Sequence, residues 1–231
     1  MIYLHLTDEI RNYEVTAALP FELMKRSEEY RVLAILKYCF PQQFAKLHKA
    51  ESPDLQDEEN SLGIEVTSAI SPEDQQISGE SLKYAHAKTD AEREKSLQII
   101  RKNGGDRNEF FTSYPVGTAK KDKANVQNAY AKKLKKLKAY RKRCSRIGLV
   151  IIIDIPLFSF EDPEWGKWLI KDNEDEFDFV VLLHWSGLDM YDVEAKKYNH
   201  IRIERNDMEA LKRLGRMAAE GIIKDDDPVW Q

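Results

Sequence analysis

Two carboxylates, Asp54 and Glu65, lie on either side of a short polar turn in the sequence. The segment that contains them reads as a strand, a turn and a second strand. If the turn is centred on Glu59 and Asn60, Asp54 lies directly opposite Glu65. Side chains at such positions have Cβ atoms about 4.5–5.5 Å apart, and like charges there repel. The pair therefore calls for a cation, and Mg²⁺ (or Mn²⁺) suits it because hard divalent cations prefer carboxylate oxygens.

The second strand alternates between apolar and polar side chains. Ile64 and Val66 occupy one set of positions, and Glu65 and Thr67 occupy the other. Successive side chains of a strand point to opposite faces of the sheet. We therefore expect Ile64 and Val66 to face a core and Glu65 and Thr67 to share the opposite face.

The order Pro53-Asp54 and then, beyond the turn, Glu65-Val66-Thr67 resembles the core motif of the PD-(D/E)xK nucleases, which have the restriction-endonuclease-like fold. The resemblance implies a metal-dependent nuclease that hydrolyses phosphodiester bonds. Asp54, Glu65 and the backbone carbonyl of Val66 would bind the metal. Thr67 stands where the family usually has a lysine, as in its Glu-x-Thr variant. The hydroxyl of Thr67 would hold a metal-bound water. The role of the missing lysine must then pass to another residue, pass to water or be lost.

Apolar residues at helical spacing predict a helix over residues 21–49, bent or broken at Pro41. Many members of the resembled superfamily place a glutamate from this helix near the metal. Glu29 is the better candidate, since it shares a side with the apolar residues of the helix. Glu28 is the alternative, and both glutamates are equally compatible with a solvated surface.

A second helix is predicted over residues 122–145. Its apolar stripe contains Val126, Tyr130 and Leu137, and Lys133 falls on the same stripe. In the resemblance, a helix lysine or glutamine that faces the site replaces the missing strand lysine. Lys133 is the first candidate and Gln127 the second. The alternative is a solvated basic helix whose lysines extend their aliphatic chains over a core.

The net charge of −4 conceals a strong asymmetry. The segment from Lys120 to Arg146 carries +11, which leaves −15 on the rest of the chain. A local positive surface is sufficient for binding nucleic-acid phosphates. The residues that we expect to contact nucleic acid, with DNA favoured, are Lys120, Lys121, Lys132, Lys136 and Arg143.

The remaining pattern predicts an α/β fold in one domain, residues 1–231. It has a restriction-endonuclease-like core with a central mixed β-sheet flanked by helices, and a helical insertion at 73–118. The continuous apolar run at 147–156 is typical of a strand buried on both faces. Further strands are predicted at 177–185, 188–193 and 198–203. One or two short strands are predicted within 2–18.

The end of the chain is predicted to form a helix capped by Asn206 or Asp207 and to fray after Ile223. No apolar run approaches the length of a membrane span, and no secretory signal is recognisable. Two cysteines are too few for a disulfide framework. We therefore expect a cytoplasmic protein. Motifs for dinucleotides, nucleotide phosphates and zinc proteases are absent from the sequence.

Two alternatives to the nuclease stay open at this point. Because Thr67 replaces a lysine, the chain could be a catalytically inactive nucleic-acid-binding module on the same fold. It could also be an interaction protein that uses the basic helix to bind an acidic partner. The sequence leaves open the choice between DNA and RNA and between internal and terminal cleavage.

Overall fold

A computed structural model of the chain describes residues 4–17, 19–108, 111–115, 119–153, 169 and 176–230. For residues 119 and 120 it describes the backbone alone. The helices in these segments are α1 (Asp8–Arg11), α2 (Phe21–Cys39), α3 (Pro72–His86), α4 (Asp90–Lys102), α5 (Ala119–Leu134), α6 (Leu137–Tyr140) and α7 (Arg205–Ala219). A short 3₁₀ helix, Pro228–Trp230, follows near the end of the chain.

A mixed sheet lies at the centre of the protein, which confirms the predicted α/β class. Within the described segments it has seven strands: β1 (His48–Lys49), β2 (Leu55–Asp57), β3 (Leu62–Ser68), β6 (Arg146–Ile153), β7 (Phe179–His184), β8 (Gly187–Asp192) and β9 (Lys197–Arg202). They lie side by side in the order β1-β2-β3-β6-β7-β8-β9. The three inner strands β3, β6 and β7 are parallel, and the outer pairs are antiparallel.

The hairpin of β2 and β3 has the register that the sequence predicts. Leu55 pairs with Ile64, and Asp57 pairs with Leu62. The turn is therefore centred on Glu59 and Asn60, and the Asp57 carboxylate accepts hydrogen bonds from the backbone and side chain of Asn60. Continuing this register by one residue brings Asp54, just before β2, opposite Glu65.

The strand β6 is buried on both faces, as predicted. Val150 and Ile152 contribute to one apolar cluster, together with Ile64 and Val66 of β3. Leu149 and its neighbours on the other face belong to a second cluster, which packs under α5. The two faces of the sheet therefore carry separate cores, and Glu65 lies on the face of the second one.

The helix α2 covers the first core and ends earlier than predicted. It stops at Cys39, two residues before Pro41. The predicted break at Pro41 is confirmed, because proline lacks the N–H that a continuing helix needs, and the predicted extension to Lys49 is wrong. The chain turns after Phe40 and then forms β1 at His48–Lys49.

The basic segment is also interrupted. The predicted single helix over 122–145 is instead α5, a turn at Lys135 and Lys136, and the short α6. At the turn, the Lys136 N–H donates to the Lys133 carbonyl at 2.9 Å. This bond spans three residues instead of four and tightens the chain. The turn leaves Leu137 and Tyr140 buried in the second core.

Other predicted elements differ in type or at their ends. The described part of the predicted strands at 2–18 contains the helix α1, because Thr7 caps its N-terminus. The last helix begins at Arg205 with Glu204 as its N-cap, so the predicted cap is wrong. The Asp207 carboxylate instead accepts a hydrogen bond from Tyr38 at 2.7 Å. The strand β6 ends at Ile153, and residues 154–156 of its predicted range lie outside the described residues.

The chain after Ile223 is packed, contrary to the prediction of a frayed end. The Tyr30 hydroxyl donates a 2.5 Å hydrogen bond to Asp225. The buried ammonium of Lys37 donates to the carbonyl of Trp230 at 2.6 Å. Both donors lie on α2, so this helix holds the end of the chain against the first core.

Residues of the predicted insertion at 73–118 form α3, α4 and a two-stranded sheet of β4 (Asp106–Arg107) and β5 (Thr112–Ser113). Asn103 caps the end of α4, and Gly104 follows it with a positive φ of 84°. A role of this segment as a clamp on a ligand stays a prediction.

None of the helices in the described segments is both long enough and apolar enough to span a membrane.

The packing of α7 on α2 generates a prediction about two helical glycines. A Cβ atom on Gly215 would lie 2.7 Å from the backbone nitrogen of Arg31, whereas a Cβ atom on Gly79 would meet nothing within 4 Å. We expect Gly215→Ala to destabilise the protein by about 1–3 kcal/mol, as overpacking does. Gly79→Ala should stabilise it by about 0.5–1 kcal/mol, because alanine is the better helix former. Urea unfolding measures the free energy of unfolding of both variants. Equal changes in the two variants would contradict the close packing of α7 on α2 at Gly215.

Candidate functional site

Asp54 is buried between β2 and the start of α2, with 6 % of its surface exposed. Its Oδ2 accepts a hydrogen bond from the Val66 N–H at 2.9 Å. Its Oδ1 lies 3.1 Å from the ammonium of Lys25. The backbone of β3 and a lysine of α2 therefore fix the two oxygens of this carboxylate separately.

The environment of Asp54 favours its charged form. Desolvation is the largest influence and by itself raises the pKa of Asp54. The hydrogen bond from Val66, the contact with Glu29 and the charge of Lys25 outweigh it and hold the pKa below its ordinary value. Asp54 is therefore an ionised, buried carboxylate at neutral pH.

Glu65 projects from β3 towards α5, and 5 % of its surface is exposed. The ammonium of Lys133 donates to its Oε1 at 2.5 Å. Burial raises the pKa of Tyr140, and a hydrogen bond to Glu65 raises it further. The structure thus brings the predicted helix lysine to the predicted strand carboxylate, although the two are 68 positions apart in the chain.

Glu29 is the third carboxylate of the group, and 3 % of its surface is exposed. Its Oε2 lies 2.7 Å from the ammonium of Lys49 in β1. Its Oε1 lies 3.0 Å from the ammonium of Lys25 but makes no hydrogen bond within the described chain. Lys25 consequently lies between Glu29 and Asp54 and contacts both.

The charges of this group balance without a metal ion. Three buried carboxylates face three ammonium groups, but the lysines differ in exposure: the side chain of Lys25 is 76 % exposed, that of Lys49 is 19 % and that of Lys133 is 13 %. Contacts with Glu29 and Asp54 raise the pKa of Lys25, although desolvation, the largest influence, acts in the opposite direction. Lys25 is therefore the positive charge that can leave the group most easily.

The donor set fits a hard divalent cation that keeps several waters. Asp54 and Glu65 supply carboxylate oxygens from neighbouring strands. Because the N–H and C=O of one strand residue point to the same side, the carbonyl of Val66 points towards Asp54, as its N–H does. Mg²⁺ commonly binds through one or two carboxylates and retains water ligands. Glu29 does not complete a group of three whose ligand oxygens all lie within 4.8 Å of one another.

The other predicted site residues have less direct positions. Thr67 lies on the same face as Glu65 and is half-buried, whereas Gln127 is exposed on α5. Glu28 pairs with Arg31 on α2 instead of joining the group. Sequence reasoning missed Lys25, Lys49 and Tyr140. Lys25 precedes Glu29 by four positions, a spacing that indicates an ion pair on a helix and could have revealed it.

The predicted nucleic-acid contacts are mostly exposed. Lys132 and Lys136 are exposed at the end of α5 and in the following turn, on either side of Lys133. Lys121 is half-buried, with its ammonium 3.7 Å from Glu73, and the side chain of Lys120 lies outside the described residues.

Arg143 has a structural contact as well as an exposed position. Its guanidinium donates to the carbonyls of Glu51 and Ser52, both at 3.0 Å. These carbonyls belong to the loop that leads into Asp54. Arg143 therefore ties the basic segment to the chain just before the candidate site.

Comparisons of the chain with models of protein families, with curated proteins and with solved structures gave no match in any of the three. The geometry of the site must therefore carry the functional argument.

The ionisation of Asp54 generates a prediction about pH. A carboxyl group whose pKa is lowered on folding stabilises the protein above its unfolded pKa of about 3.9, and this contribution is lost as the pH falls through the lower folded value. Asp54→Asn should destabilise the protein by about 1–3 kcal/mol at pH 7. The difference from the wild type should begin to shrink below about pH 4 and disappear as the pH falls through the lower folded pKa, where Asp54 becomes as uncharged as asparagine.

Urea unfolding of both proteins across this pH range measures the effect. Asp226→Asn, which removes an exposed carboxylate, serves as the control. A free-energy difference between wild type and Asp54→Asn that is independent of pH would contradict the ionised state of Asp54.

Proposed function

We propose that the protein is a metal-dependent nuclease with a restriction-endonuclease-like core. The observation that carries the proposal is that the Lys133 ammonium contacts Glu65, while the hairpin register places Asp54 opposite Glu65. The order of elements also supports it. The helix α2 precedes the hairpin of β2 and β3, and α5 then leads into β6, which lies parallel to β3.

In this proposal, Asp54, Glu65 and the carbonyl of Val66 hold Mg²⁺ or Mn²⁺. When bound, such an ion lowers the pKa of a coordinated water and neutralises charge on the scissile phosphate. Tyr140, whose pKa is raised by burial and by Glu65, would orient this carboxylate. The hydrogen bond from the Val66 N–H fixes the orientation of Asp54 in the same way.

Lys133 supplies the positive charge that the strand lacks at Thr67. It reaches Glu65 from α5, so its ammonium is already at the site before a substrate arrives. An ammonium placed in advance stabilises negative charge that develops in the transition state. Lys133 would therefore donate to a phosphate oxygen or to the attacking water.

Lys25 occupies the position of a cation in the metal-free protein. It is the most exposed of the three lysines and neutralises both Asp54 and Glu29. A divalent ion that binds Asp54 would displace its ammonium into solvent. Lys25 would therefore compete with the metal for Asp54.

The exposed basic residues beside Lys133 would hold the substrate. Lys132 and Lys136 are its near neighbours in the chain, within the segment that carries a charge of +11. Contacts of this kind bind phosphates and position the substrate without reading its sequence. DNA is the substrate that we propose, from the resemblance of the motif.

A second candidate function is nucleic-acid binding without cleavage on the same fold. It is favoured by the ion pairs that already neutralise Glu29, Asp54 and Glu65. A group of this kind needs no metal to be stable. The two functions differ in metal binding and in cleavage, and both can be measured.

Metal binding should respond in opposite directions to the loss of a carboxylate ligand and to the loss of Lys25. Asp54→Asn and Glu65→Gln should abolish the binding of Mg²⁺ and Mn²⁺ in calorimetric titrations, because each removes a ligand. Lys25→Met should tighten binding by up to about fivefold, which corresponds to the ~1 kcal/mol of an exposed ion pair. Lys46→Met, which removes a lysine paired with Glu59, is the matched control. Absence of metal binding by the wild type, both alone and with a short DNA duplex, would refute the metal site.

Substitutions of neighbouring lysines should affect DNA cleavage and DNA binding differently. Lys133→Met should lower cleavage of DNA by at least about 100-fold, as loss of a single transition-state donor does, and DNA binding should persist. Lys132→Ala and Lys136→Ala should weaken binding and each reduce the slope of log K against log salt by about 1.

Plasmid and oligonucleotide assays in Mg²⁺ and Mn²⁺, with matched DNA and RNA, measure these effects. Lys224→Ala, an exposed lysine near the end of the chain, is the control. Salt-sensitive binding by the wild type without cleavage of any substrate would select the binding module over the nuclease.

A further inference from the structure

Three side chains with metal-binding atoms meet on the half of the sheet that the proposed nuclease function does not use. They are His184 of β7, Asp189 of β8 and His200 of β9. Each offers one ligand atom, and these atoms all lie within 4.8 Å of one another. Within the described residues, this is the one group of three or more His, Cys, Asp or Glu with that property.

The strand register brings these residues together. Asp189 pairs directly with His200 and, on its other side, with Leu182. His184 lies two positions beyond Leu182 and therefore on the same face of the sheet. The rings of the two histidines stack with their centroids 6.0 Å apart and their planes 7° from parallel. Rigid neighbouring strands thus hold all three side chains.

His184 has one ring nitrogen engaged and one directed at the group. Its Nδ1 is hydrogen-bonded with the hydroxyl of Ser186 at 3.1 Å, and its Nε2 lies 3.8 Å from Asp189 Oδ2. A hydrogen bond at the second nitrogen is the usual device that orients a metal-binding imidazole.

Asp189 is a buried carboxylate with a hydrogen-bond partner outside the group of three. It is 4 % exposed, and its Oδ1 accepts hydrogen bonds of 2.6 Å from the Tyr198 hydroxyl and from His200 Nδ1. Its Oδ2 faces His184. The side chain of His200 is 54 % exposed, so this ring can rotate and solvent can reach the group.

Two imidazoles and one carboxylate are a donor set for a transition metal. Zn²⁺ binds three protein ligands of these types in open sites and takes a water as its fourth ligand. Mg²⁺ favours oxygen ligands and is a poor match for two imidazole nitrogens. The donor set therefore differs in kind from that of Asp54 and Glu65.

The group is also too distant to share an ion with the candidate nuclease site. Glu65 is in register with Leu149, and Leu149 is in register with Val180. His184 lies four positions further along β7, so two strand spacings and four residues separate it from Glu65, on the order of 15 Å. Metals of a two-metal catalytic site are about 3.5–4 Å apart.

We propose that His184, Asp189 and His200 form a second metal site on this sheet, specific for Zn²⁺ or a similar transition metal, with Tyr198 as the partner that orients the carboxylate. The site is independent of the proposed nuclease function.

The test is calorimetric titration of Zn²⁺ into the metal-free protein in the presence of excess Mg²⁺, with Co²⁺ absorption as a second readout. We expect one Zn²⁺ per chain. Tyr198→Phe should weaken binding by about 10–100-fold, the usual effect of losing an outer partner. His200→Ala and Asp189→Asn remove ligands and should weaken binding by more than this range.

Two variants serve as controls. His48→Ala removes a half-buried histidine from β1 at the opposite edge of the sheet, and Asp54→Asn alters the candidate nuclease site. Both should bind Zn²⁺ as the wild type does. Thermal unfolding in a chelator verifies that each variant is folded. Of the variants that remove a ligand, His200→Ala should disturb folding least, because the side chain of His200 is exposed. Failure of the wild type to bind Zn²⁺, binding that survives His200→Ala, or binding lost only in Asp54→Asn would each overturn the proposal.

Discussion

The register between β2 and β3 is the constraint on which the candidate site depends. Side chains alternate along a strand, so a slip by one residue would move Glu65 to the face that now holds Ile64 and Val66. The hydrogen bond from the Val66 N–H to Asp54 extends the hairpin pairing by one more contact. It holds one oxygen of Asp54 against the backbone of the residue that follows Glu65. The parallel pairing of β3 with β6 then holds the face that carries Glu65 under α5.

Buried charge is the second organising feature. Asp54, Glu65 and Glu29 have lost almost all contact with water, and each is neutralised by a lysine from another element. Replacing such groups by apolar side chains often leaves stability unchanged or improves it, so buried ion pairs are weak arguments for stability. The metal-binding role that we propose would account for their presence. The exposed Lys25 is the member of the group that a bound cation could replace.

The sequence by itself determined the parts that depend on local pattern. Turn residues and strand alternation predicted the hairpin and its pairing of Leu55 with Ile64. The continuous apolar run predicted β6 as a strand buried on both faces. Helical spacing put Lys133 on the buried stripe of its helix, and the structure brings it to Glu65. In each case, neighbours a few residues apart carry the signal, because the period of a helix or a strand is a local property.

The tertiary structure alone decided which distant residues meet. Lys49 reaches Glu29 because the chain leaves α2 near Pro41 and returns as β1. The triad of His184, Asp189 and His200 requires three strands in one particular order and register. The packed end of the chain likewise depends on donors in α2. Contacts of this kind follow from how helices and strands pack together and not from the sequence pattern of any one of them. Sequence patterns therefore established the elements and one pair of carboxylates, whereas packing determined the lysines around that pair and the second cluster of ligands.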